Sequence, residues 1–154
     1  MAIDPVDALP PFGEFDEADF PSVTPELMPA LKVPLALIGA AKGVEQVNGV
    51  ACAPADENYK AFFEAAPSAT LLWDIPSAGH AEFSDPCASE QSSLGCSFCV
   101  QGQEPERTHA FALQTLVSFF KYHLEQKADY LPFLQGTALE SRFADFVSIQ
   151  EKAQ

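Results

Sequence analysis

The sequence predicts an α/β chain: parallel strands with flanking helices and an incomplete sheet. Three observations predict it. Val33-Pro34-Leu35-Ala36-Leu37-Ile38-Gly39 is a continuous apolar run closed by glycine, and Thr70-Leu71-Leu72-Trp73-Asp74-Ile75 is a second. Runs of this kind read as strands buried on both faces. Between them, residues 55–66 carry Tyr59, Phe62, Phe63 and Ala66 at helical spacing. Strand, helix and strand in that order imply a right-handed crossover between parallel neighbours.

The elements follow in order. Ala2-Ile3 reads as the end of a strand whose beginning is absent. Residues 5–29 are proline-rich and acidic, with Phe12, Phe15 and Phe20 spaced through them. Proline fixes φ and removes a donor, so this stretch is expected to be a loop. After the 33–39 strand, Asp56 is placed to cap the 55–66 helix, and Pro67 to end it. Residues 76–106 form a long loop carrying His80, Cys87, Cys96 and Cys99, and a loop of that length is usually functional. Residues 108–125 give the strongest helix, with Phe111, Leu116, Phe119, Phe120 and Leu124 on a broad apolar face. A last amphipathic segment is expected over 138–149. The organisation expected is one α/β unit over residues 1–134 and an amphipathic tail over 135–154.

The chain has 154 residues and a net charge of −14, from 22 acidic against 8 basic side chains. Its length suffices for one core, burying roughly 70% of the unfolded surface. Phosphate neutralisation needs clustered Lys and Arg, so nucleic acid is excluded as a partner, and an anionic membrane surface with it. No apolar run approaches the roughly 18 residues of a membrane span. No basic n-region or apolar h-region opens the sequence. Thirteen Phe against one Trp and three Tyr is a heavy aromatic load, some of it available to a partner or to the rest of a larger domain.

The chemistry centres on Ser77-Ala78-Gly79-His80, just beyond the second strand. An imidazole that takes a proton from a nucleophilic hydroxyl and returns it to a leaving alcohol must stand on a loop above the sheet. Gly79 permits a tight turn there. Asp4 ends the first strand and can accept the imidazole N–H, fixing its tautomer. Asp before His, with one strand–helix–strand step between, follows the Ser, Asp, His order of α/β-hydrolases. The alternatives are a loop histidine bonded to backbone and a turn-initiating Asp before Pro5. Asp7 and Asp74 compete with Asp4. The nucleophile elbow Gly-x-Ser-x-Gly is absent from these residues. Gly95-Cys96-Ser97-Phe98-Cys99 comes nearest, but it follows both partners and no strand precedes it.

The cysteines leave three possibilities open. Cys87, Cys96, Cys99 and His109 could hold zinc, although structural sites use tighter paired spacings. Disulfides could brace the long loop and so hold His80 in place. The thiols could also be free. No cofactor and no metal is expected.

Taken together these residues resemble chlorophyllase, an α/β-hydrolase family. Ala2-Ile3-Asp4-Pro5-Val6-Asp7 is similar to the family's Leu-Asp-Pro-Val strand end, whose Asp is the triad acid. Pro34-Leu35-Ala36-Leu37-Ile38-Gly39 matches its apolar strand ending in Ile-Gly. Val50-Ala51-Cys52-Ala53-Pro54 and Asn58-Tyr59-Lys60-Ala61-Phe62-Phe63 are similar to its Cys-Ala-Pro element and the following Phe-Phe helix. Gly79-His80 aligns with its Gly-His, Cys96 and Cys99 with its short cysteine pair, and residues 117–124 with its terminal helix. The pair here has two residues between its members instead of one, and Ala81-Glu82-Phe83-Ser84-Asp85 stands for the family's acidic run.

The resemblance covers roughly residues 1–134. It implies the C-terminal portion of an α/β-hydrolase fold, with His80 as general base and Asp4 as its orienting acid. The nucleophile segment is then expected a few tens of residues before Met1, so that this chain is inactive alone. The implied substrate is a hydrophobic ester of a pigment or lipid, and a plastid location is implied with it. A lipase or esterase of the same fold, or a non-catalytic acidic binding protein derived from it, are the alternatives.

Overall fold

Leu35–Ala40 forms the central strand β2, between β1 (Ala2–Ile3) and β5 (Thr70–Ile75). The structure is a computed structural model that describes residues 1–7, 24, 27–67, 70–84 and 97–152. Phe12, Phe15, Phe20, Asp85, Cys87 and Cys96 lie outside the described residues, as do most of the 5–29 loop and the middle of the 76–106 loop. The ladder of β2 starts at Leu35 because Pro34 has no N–H to give it.

Among the described residues the main sheet has the order β1-β2-β5-β6, where β6 is Ser148–Glu151. The first three strands are parallel, with Ile3 opposite Ile38 and Ile38 opposite Trp73. The last pairs antiparallel to β5, with Ile149 opposite Trp73. A small antiparallel hairpin, β3 (Gln46–Val47) and β4 (Val50–Ala51), branches off after β2. Asn48 and Gly49 turn it with φ of 54° and 85°, the signature of a two-residue hairpin whose twist matches its strands.

Alternation along the strands builds two cores, one on each face of the sheet. Ala36, Ile38, Ala40, Trp73 and Ile75 face α2 (Pro105–His123) and the residues after it. Leu37 and Leu72 face α1 (Tyr59–Ala65), where they meet Tyr59, Phe62 and Met28. The result is a mostly parallel sheet flanked by helices, a partial α/β fold. The Trp73 indole stands edge-on to Phe111 and donates to the Leu134 carbonyl at 3.0 Å, so its one polar atom is satisfied.

Several local expectations shift. Residues 55–58 turn instead of coiling, with Glu57 N–H donating to the Pro54 carbonyl and Asn58 Nδ2 to the Ala53 carbonyl. Asn58, not Asp56, therefore caps α1, its Oδ1 accepting from Lys60 N–H at 2.9 Å. α2 begins three residues earlier than expected because Pro105 suits a first turn that needs no N–H there. It ends at His123, and Gln126 at φ 55° then reverses the chain.

The segment expected to be helical over 138–149 divides. Thr137–Phe143 forms α3, and the chain then extends into β6. The open edge of β5 offers it a full set of ladder partners, which outweighs the helical spacing. Leu139, Phe143 and Phe146 join the core beside Phe111. Lys152 Nζ closes the corner by donating to the Glu64 and Ala66 carbonyls at the end of α1.

Candidate active site

In parallel sheets the carboxyl ends of the strands carry the functional loops. β1 ends at Asp4, β2 runs out to Gly43, and β5 leads through Ala78 and Gly79 to His80. The structure brings Asp4 and His80 together. His80 Nδ1 lies 2.6 Å from Asp4 Oδ2. The other carboxylate oxygen, Oδ1, accepts from Ala40 N–H at 2.9 Å. The Asp4 side chain is 2% exposed and that of His80 32%. The carboxylate is thus buried with both oxygens bonded, while the imidazole reaches the surface. Among the described residues Nε2 has no hydrogen-bond partner, so the ring presents that nitrogen outward, fixed from behind.

Asp4 is held under strain. Its φ of 39° lies in the left-handed region, which Asp tolerates better than most side chains but which the following Pro5 makes still less favourable. Its own N–H donates to the Ile38 carbonyl at 2.7 Å, so β1 pairing continues into the strained residue and aims the carboxylate across β2. Outliers of this kind cost about 1–3 kcal/mol and cluster at functional sites.

The competing acids are occupied elsewhere. Asp7 Oδ2 accepts from Thr24 N–H at 3.0 Å and from the Thr24 hydroxyl. Asp74, on the opposite face of β5, accepts from the Tyr59 hydroxyl at 2.7 Å and faces Lys60. Burial, and then the bond to Asp74, raise the Tyr59 pKa far above that of an ordinary phenol, with the charges of Asp74 and Asp4 adding to the shift.

The backbone below the pair is pinned tightly. Gly43 lies under it: a Cβ there would stand 2.9 Å from that of Ala53, 3.6 Å from that of His80 and 3.8 Å from Asp4 Oδ2. The role expected for Gly79 needs correction. Its φ is −99°, open to any residue, so no special turn requires glycine. What requires it is close approach, because a Cβ would land on the Val100 carbonyl oxygen. Lys42 N–H bonds the Ala78 carbonyl, and Gln103 N–H the Ser77 carbonyl. His80 itself opens a short 3₁₀ turn, His80–Phe83.

Cys52 and Cys99 form a disulfide. It ties the residue beside Ala53 to the residue beside Val100, and so joins the two segments whose atoms, the Ala53 Cβ and the Val100 carbonyl, press on Gly43 and Gly79. The sequence grouped Cys99 with Cys87 and Cys96 and left Cys52 apart. The zinc alternative loses two of its four donors, since Cys99 is oxidised and His109 Nε2 is turned to the carbonyls of Glu82, at 2.5 Å, and Ser84.

Sequence reasoning gave Glu82, Gly43 and Cys52 no part in the site. For Glu82 a signal existed: a Glu three residues after the residue that caps a turn, here Gly79, can reach back to that residue's N–H.

The chain is thus a partial α/β fold, with a buried carboxylate backing a partly exposed histidine at its strand ends. The chlorophyllase family model matches residues 1–141, which is most of the chain, and the chain belongs to that family. No curated protein matches it. Among the described residues no helix is long and apolar enough to cross a membrane.

Proposed function

We propose that this chain carries the acid–base half of a serine ester hydrolase whose nucleophile comes from outside these residues. His80 Nε2 takes the serine proton as the oxygen attacks the ester carbonyl. As the tetrahedral intermediate collapses, the bond to the alcohol oxygen breaks and Nε2–H returns the proton to it. Water then attacks the acyl-serine by the same route, releasing the acid and restoring the serine. Asp4 holds the proton-bearing Nδ1 and stabilises the imidazolium. Backbone N–H groups next to the serine would receive the oxyanion.

The observation that carries this reading is the 2.6 Å contact between His80 Nδ1 and Asp4 Oδ2, made by a buried carboxylate whose other oxygen is already bonded. Family membership supports an ester as the substrate. We take the finer reaction to be that of the family, cleavage of chlorophyll to chlorophyllide and the hydrophobic alcohol phytol.

Hydrolysis of chlorophyll and of short p-nitrophenyl esters tests it, on this chain alone and on a longer protein with a Gly-x-Ser-x-Gly segment ahead of Met1. The expected result is activity only in the longer protein, lost on His80→Ala. Ester turnover by the 154-residue chain alone would refute the assignment of an outside nucleophile. Full activity of the His80→Ala protein would refute the role of His80.

A further inference from the structure

We infer that Glu82 is a positioning residue for His80, its buried carboxylate clamping the turn from which the imidazole projects. The inference rests on the acid–base reading of Asp4 and His80. Glu82 is 7% exposed and lies two residues beyond His80 on the same 3₁₀ turn. Its Oε2 accepts from Gly79 N–H at 3.1 Å, while its own N–H donates to the Gly79 carbonyl at 3.0 Å. The two bonds close a ring in which His80 is the first residue inside, so the peptide entering His80 cannot rotate without breaking one of them. From outside, His109 Nε2 holds the Glu82 carbonyl at 2.5 Å.

Room for the carboxylate exists only because residue 102 is glycine, where a Cβ would land on Oε2. The clamp is an unfavourable choice for stability alone. Among the described residues Oε1 has no hydrogen-bond partner, and an unpartnered buried carboxyl oxygen is costly where an apolar side chain of similar size would not be. A helix cap at an ordinary surface turn keeps its carboxylate in water. Here it is buried under the turn that carries His80, against Gly79 N–H and the open side of Gly102.

Proton NMR of the full 154-residue chain tests this, since a histidine N–H held by a buried carboxylate is expected to give a low-field imidazole resonance. Glu82→Ala is expected to shift or broaden that resonance. Glu82→Gln, which keeps an acceptor oxygen for Gly79 N–H, is expected to restore it. Gly102→Ala leaves Glu82 in place but takes the space of its carboxylate. It is expected to move the same resonance, and it decides the matter if Glu82→Ala does not fold. An unmoved resonance in Gly102→Ala, or in folded Glu82→Ala, would overturn the inference and leave the acid–base reading standing. No such resonance in the unsubstituted chain would overturn the acid–base reading and this inference with it.

Discussion

Replacing Asp4 by Asn keeps the shape of the side chain and removes one acceptor, so its effect can be worked from the two bonds the carboxylate makes. Ala40 N–H, at 2.9 Å, belongs to a residue fixed in the ladder opposite Ile75 and cannot move away. The one Asn oxygen must therefore stay with Ala40, which turns the amide N–H₂ toward His80 Nδ1. Nδ1 can then only accept, the ring proton moves to Nε2, and the nitrogen facing the substrate has no lone pair with which to take a proton. A charge-assisted bond is exchanged for a neutral one, a loss of roughly 1–2 kcal/mol in stability. The loss in turnover is expected to be far larger, about 10⁴, going by the same substitution in another triad enzyme. Initial rates of ester hydrolysis by a serine-bearing longer protein measure it, with urea unfolding of this chain as the control for folding. A rate loss under about tenfold would remove Asp4 from the acid–base pair. So would an equal loss from Asp7→Asn or Asp74→Asn, whose carboxylates bond Thr24 and Tyr59 instead.

Further expectations concern the frame around the site. Gly39→Ala drives a Cβ into the buried Tyr59 ring and breaks its bond to Asp74; the cost is expected to be about 3 kcal/mol. A urea midpoint lowered by less than about 0.5 M would contradict that packing. The Cys52–Cys99 disulfide spans 47 residues of sequence, so chain-entropy reasoning gives its loss in Cys52→Ser about 4 kcal/mol. A fall in Tm on the order of 10 °C is expected, and one under about 2 °C would show that the bridge constrains little. Tyr59 links stability to alkaline pH. Its folded pKa is raised above the unfolded one, so above about pH 10 the unfolded chain releases a proton that the folded chain keeps, and stability falls as pH rises. Urea midpoints across that range check the sign, and a rise would contradict the burial of the hydroxyl.

What the sequence discloses about the fold follows from how local the cause is. Thr70–Ile75 is legible to the residue because its apolar run stands directly before Pro76 and follows the short Ser68-Ala69 step after Pro67. The long helix is legible from its period, and its early start at Pro105 only from a rule about first turns. Asn58 and Asp56 are both good caps, and the choice between them falls to the Ala53 and Pro54 carbonyls, which no local pattern announces. Strand β6 is illegible for the same reason: Ser148, Ile149, Gln150 and Glu151 are all exposed, so no buried face marks them, and the open edge of β5 fixes their conformation. At the site, Asp4 and His80 can each be picked out because each ends a strand. Their contact, the strained φ of Asp4, and the pairing of Cys52 with Cys99 depend on residues far apart in the chain. Glu82 was readable as a turn cap, and its burial was not.

Strand β6 also sets the order in which this fold can be completed. The outer edge of β5 stays an unpaired row of amides and carbonyls until Ser148–Glu151 arrive, after almost all of the described chain has been made. Trp73 and Leu72 lie on that edge, and an unpaired edge is the kind of surface that recruits other chains. Pairings so distant in sequence are slow to form, because loop closure must precede the contacts that reward it. The antiparallel closing strand ends that exposure, and the Lys152 ammonium on the carbonyls of α1 secures it.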